Sequence, residues 1–200
     1  MASYNPLREM IVSEARKHLL SVSDNPTMLV NGKRRGAALL RRIFDEACEK
    51  PPAWSPAALR ALETPGQWLH VNGSGGTTNS KVAVHWCGIF ATFVLRKTGI
   101  PVKWRYSVGI VPSGPQSKFV HKARSWISSE GFDRNSFAPG DVCVIPSSNH
   151  HFIVVDAPQG PTLRCIAGNG KYQQIEWQNH RRADVVCHYR IAWDPFASRL

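Results

Sequence analysis

Apolar residues recur at helical spacing through the first half of the chain, whereas the last third carries them in short β-branched runs broken by turns. Asn5-Pro6 predicts a helix to about Leu20, because Asn accepts the unused amide hydrogens of a first turn and Pro at the first helical position gives up no bond. Ser55-Pro56 repeats that signal for a short helix ending near Thr64. Between the two, Ala38, Leu39, Ile43, Phe44 and Ala47 make one apolar stripe in 36–50. The glycine- and serine-rich stretch 71–80 reads as a loop. A buried helix is predicted over 84–98, with Gly99 placed to stop it. Phe119, Val120, Ala123, Trp126 and Ile127 predict an amphipathic helix over 116–128. After Pro139-Gly140, strands are predicted at 142–145, 152–155, 163–167, 174–177 and 185–192.

Helices followed by a run of strands point to an α+β domain with helices packed on an antiparallel sheet of about five strands. The expected organisation is a single compact domain: 1–80 as a helical N-terminal part packed on a core formed by 81–200. A chain of 200 residues with 42% hydrophobic content can bury a real core. It shows no apolar run long enough to span a membrane and no signal-peptide pattern at its start, so synthesis in the cytoplasm is expected.

Charge narrows the choice of partner. With 25 Lys and Arg against 14 Asp and Glu, the formal charge is +11, and the surface should attract polyanions such as nucleic acid, anionic lipid or bacterial wall polymers. The basic residues are dispersed, without the aromatic interleaving of a single-strand binding platform, which argues against nucleic acid. Cys48, Cys87, Cys143, Cys165 and Cys187 are odd in number, widely separated and without a CxxC pair, so neither a zinc site nor a disulfide framework is indicated. No metal or cofactor is expected.

Only Cys87 has neighbours that suggest chemistry. It falls in the first turn of the predicted buried helix, where free amides and the helix dipole favour a thiolate and can also stabilise an oxyanion. A base has to come from elsewhere. Of eight histidines, His150 and His151 stand out because they open a strongly apolar strand, where a polar side chain needs a partner. Neighbours on a strand face opposite sides, so one of the two is the candidate base.

Three segments then carry a family resemblance. HWCGIFATFVLRKTGIPV resembles the nucleophile helix of the CHAP and NlpC/P60 papain-like superfamily, PGDVCVIPSSNHHFIVVDA its Pro-Gly-Asp strand and histidine-led strand, and CIAGNG a strand ending in Gly-Asn. They occur in the family's order over about 84–170. The resemblance implies a papain-like fold with Cys87 as nucleophile, His150 or His151 as base, and Asn169 as the polar residue orienting the imidazole. Matching the family's His-x-small-Ile-Val run favours His150, with Phe152 in place of the small residue; a shift by one makes His151 catalytic. Where the family often has an acid two residues before the Asn, this chain has Ala167.

What the resemblance implies for function is hydrolysis of amide bonds in bacterial peptidoglycan, as an amidase or endopeptidase, through an acyl-enzyme. The helical segment 32–47, the loop and WCGIFA also resemble cysteine hydrolases of interbacterial toxins. That reading requires delivery to a target periplasm or cell wall, by a type VI or other specialised secretion system or by phage lysis, and, for a toxin, a dedicated immunity protein in the producing cell. Two rivals stand beside it: the same machinery acting on a protein as protease, deamidase or acyltransferase, and a basic nucleic-acid-binding module with an inert Cys87.

Overall fold

Ser55 caps a helix as its position predicts, its Oγ accepting the Ala58 amide hydrogen at 3.2 Å. The computed structural model describes residues 6–68, 70–72, 81–106, 108–113, 120–123, 137–146 and 150–191. Its helices are α1 (Pro6–Lys17), α2 (Ala37–Ala47), α3 (Pro56–Glu63) and α4 (Cys87–Lys97). None is long and apolar enough to cross a membrane.

Strand β1 (His70–Asn72) pairs antiparallel with β2 (Lys81–Ala83), and β3 (Val102–Arg105) with β4 (Gly109–Pro112). The main sheet is antiparallel throughout and holds β5 (Val120–Ala123), β6 (Val142–Ile145), β7 (His150–Asp156), β8 (Thr162–Ala167), β9 (Glu176–Arg181) and β10 (Cys187–Ile191). Their order is β5-β10-β6-β7-β8-β9. The α+β architecture with an antiparallel sheet therefore stands, with six strands rather than about five. The extra strand, β5, lies inside the segment predicted to be helical at 116–128, whose remaining residues fall outside the described ones. Backbone pairing of 120–123 with β10 overrides the helical spacing of the apolar side chains there.

Alternation along β7 divides the interior. Ile153 and Val155 face a core built from Leu7 and Ile11 of α1, Leu40 and Phe44 of α2, and Ile89, Phe90 and Phe93 of α4. Phe152 and Val154 face the opposite side, with Cys143, Leu163 and Cys165. The Pro-Gly-Asp turn joins the sheet to α1: Asp141, fully buried, accepts a hydrogen bond from Arg8 Nη1 at 2.7 Å, and Gly140, at φ +88°, packs against the Arg8 backbone. A second buried pair, Arg34 with Asp24, ties the chain after α1 to 64–67, as Arg34 Nη2 also donates to the Gln67 carbonyl and Asp24 Oδ2 accepts from the Gly66 amide.

Candidate active site

Helix α4 opens without a side-chain cap. Its N-cap residue is Trp86, whose side chain makes no capping hydrogen bond, which leaves the first-turn amides of Cys87 and Gly88 to face the Cys87 thiol itself. Cys87 is the first helical residue and is 2% exposed. Burial pushes its thiol above the ordinary range, against the downward pull of the backbone N–H groups of His151, Gly88 and Cys87 itself. The amide of His151 donates to Cys87 Sγ at 3.4 Å, joining the start of β7 to the start of α4.

The two histidines fall on opposite faces. His151 lies on the face that carries Ile153, toward α4; it is buried, its ring meets Trp104 edge-on at 5.1 Å and lies parallel to Tyr189 at 6.5 Å. A Cβ placed on Gly88 would come within 3.2 Å of His151 Cγ and run into the Trp104 ring, so the missing side chain at 88 lets the imidazole and the indole approach the nucleophile's turn. His150 points the other way, its Nε2 2.7 Å from Gln178 Oε1 and its ring 5.6 Å from that of His180. Of the two candidates, His151 is the one on the face of Cys87, whereas His150, which the motif match favours, faces the neighbouring cleft. Side-chain alternation decides this, and a motif spaced by one residue does not reveal it.

Around the start of β7 from Cys87 lies a cleft of about 470 Å³, lined among others by Trp68, His85, His150, Asn169, Gln178 and His180. Gln178 Nε2 donates to Glu176 Oε1 at 3.2 Å, so its Oε1 is the atom that faces both His150 and His180, at 2.7 and 2.8 Å. Burial lowers the pKa of His150, against the Gln178 hydrogen bond and the Glu176 charge. Burial and neighbouring His150 lower that of His180 to about 4.

Asn169 belongs to this cleft. It sits just beyond β8 at φ 58°, with Nδ2 3.5 Å from His85 Nδ1. Its polar neighbour among the described residues is His85, and no hydrogen bond between Asn169 and His151 occurs among them. Gly168 brings the end of β8 onto α4, since a Cβ there would stand 2.5 Å from Trp86 and 2.8 Å from Phe90 Cβ. The sequence pattern singles out none of His85, His180, Trp68, Gln178 and Trp104, which the structure brings to the site. The alternation of Glu176, Gln178 and His180 across Trp177, Asn179 and Arg181 was the available signal for the β9 side of the cleft.

No group of three or more metal-ligating side chains occurs among the described residues. Compared with models of protein families, with curated proteins and with solved structures, the chain matches none.

Proposed function

We propose that this chain is a papain-like cysteine hydrolase that cleaves amide bonds of bacterial peptidoglycan, with Cys87 as nucleophile and His151 as base. The observation that carries the proposal is the meeting of β7 and α4: the His151 amide reaches Cys87 Sγ at 3.4 Å, and the imidazole of that residue lies on the same side of the sheet. In the reaction, the imidazole takes the thiol proton as sulfur attacks the amide carbonyl. The uncapped first turn of α4 offers N–H groups to the oxygen that becomes negative. The imidazolium then protonates the leaving amine, and water, deprotonated by the same ring, releases the acyl group from sulfur.

A thiol held protonated by burial fits a nucleophile activated by its base during attack rather than a standing thiolate. A basic chain suits an anionic wall, and the resemblance to CHAP and NlpC/P60 enzymes points to the same substrate. On this reading the protein reaches its target through a specialised delivery route, and an immunity protein guards the producer. Mass spectrometry of purified peptidoglycan after incubation is the test. The wild type should release new fragments with free amine and carboxyl ends, and Cys87→Ala should release none; fragments from a folded Cys87→Ala protein at the native rate would exclude the covalent route.

A further inference from the structure

The cleft beside Cys87 is chemically unlike the molecule around it. The chain carries a net charge of +11, yet the cleft lining contains no lysine, arginine or carboxylate among the described residues. It offers ring faces and hydrogen-bond acceptors instead. Trp68 and His85 rings lie 5.1 Å apart, and His150 and His180 add two more rings. Gln178, fixed by Glu176, receives both histidine Nε2–H groups, which leaves each Nδ1 with its lone pair. Asn169 turns its amide nitrogen to His85, and its Oδ1 is buried with no hydrogen-bond partner among the described residues.

Acceptors lining a cleft, here the imidazole Nδ1 atoms of His150 and His180, are matched by a ligand that brings an N–H or O–H group. The same ligand should have an apolar face for Trp68 and no charge, because an ammonium or carboxylate would be desolvated among neutral rings. A pyranose bearing an N-acetyl group meets each demand: its C–H face lies flat on an indole, its acetamido N–H is a donor, and it is uncharged. A stem peptide, with its carboxylates, does not.

We infer that this cleft is a glycan subsite, holding an N-acetylated sugar against Trp68 with its N–H directed to the imidazole acceptors of His150 and His180. The inference rests on the hydrolase reading and deepens it. His150 lines the cleft and His151 adjoins Cys87, so the two sites lie on either side of the first residues of β7. A substrate crossing that point places its sugar in the cleft and the amide next to the sugar at the thiol. The bond selected is then the one joining glycan to stem, not one within the stem.

Binding is measured on Cys87→Ala, which cannot turn over, by titration calorimetry with triacetylchitotriose and, separately, with a free stem tetrapeptide. Saturable binding of the sugar is expected, weakened roughly tenfold or more in the added Trp68→Ala or Gln178→Leu variant. Deacetylated chitotriose, which is cationic and lacks the acetamido donor, should not bind. Absence of sugar binding, or binding of the tetrapeptide alone, overturns the glycan subsite. Unchanged sugar affinity in folded Trp68→Ala and Gln178→Leu proteins overturns it as well. Since the assay needs no catalysis, failure of the wild type to cleave peptidoglycan would count against the hydrolase reading only, whereas cleavage without sugar binding would count against the subsite only.

Discussion

At the thiol, two opposing influences meet. Burial favours the neutral form of Cys87, while three backbone N–H groups favour the thiolate. The result is a thiol titrating above its ordinary value, so alkylation by iodoacetamide should be slow at neutral pH and keep rising through and beyond the usual thiol range. Cys143 and Cys165 are fully buried and pushed higher still, and should stay unlabelled in the folded protein. Cys187, half-buried, is the competitor to separate by peptide mapping. The histidine pair gives a sharper test. Replacing His151 by Ala should lower peptidoglycan hydrolysis by roughly 10²–10⁴-fold, the range expected for loss of a general base. His150→Ala should leave the chemical step and change KM instead, because His150 faces Gln178 in the cleft. Combining Cys87→Ala with His151→Ala should cost little beyond either alone, since the proposed mechanism has both acting in one step. The opposite pattern, with His150 essential and His151 dispensable, would reassign the base.

Elements bring these residues together, and two glycines set how closely. Gly88 admits Trp104 and His151 to the first turn of α4, and Gly168 lets β8 reach Trp86 and Phe90. Neither needs an unusual backbone angle, so the demand is steric. Gly88→Ala should destabilise by about 1–3 kcal/mol through overpacking and reduce activity by moving α4 from β7. Trp104→Leu in the same chain should recover part of the stability, and a double-mutant cycle by urea unfolding would show that coupling; strict additivity would mean the two do not meet. Which elements exist was largely legible from the sequence. Caps and apolar stripes located the four α-helices of the described residues, and the strand signals after Pro139-Gly140 match β6, β7, β8 and β10 within a few residues. Strand β9 was placed too early, because Glu176–Arg181 alternates polar with exposed positions and lacks the β-branched run that marks its neighbours. The β3–β4 pair gave no signal. The candidate site could be proposed from Cys87 and the histidine pair, since both stand out by local context. The choice within the pair, the turn of Asn169 away from His151 and the convergence of Trp68, His85 and His180 depend on contacts between distant segments, which local pattern does not encode.

At the scale of the whole molecule, the net charge of +11 and the partly buried imidazoles of His150 and His180 respond differently to pH. His150 and His180 have folded-state pKa values below the ordinary histidine value, that of His180 at about 4. In the unfolded chain both take up protons near pH 6.5. As pH falls from neutrality, the unfolded state therefore binds protons that the folded state still refuses, and by linkage the folded state loses stability. The loss begins as pH drops through about 6.5 and, for His180, continues until pH nears its folded value of about 4; above 6.5 it is absent. Thermal melts between pH 7.5 and 4.5 should show a falling midpoint over that window. His180→Phe keeps a ring to stack on Phe152, which His180 meets at 4.3 Å, and removes one titrating group, so its midpoint should fall less steeply over the same range. A variant that follows the wild-type slope would show that protonation of His180 is not what the fold resists. An N-acetylated sugar in the cleft adds to the same linkage, because a ligand that favours neutral His150 and His180 binds less well once they are protonated. Affinity for triacetylchitotriose should accordingly weaken below neutrality together with stability, whereas adhesion to the wall through the net charge of +11 should weaken with salt and persist in acid. Measuring both on Cys87→Ala separates attachment by charge from recognition by the cleft, and loss of both with salt alone would leave the cleft without a part in binding.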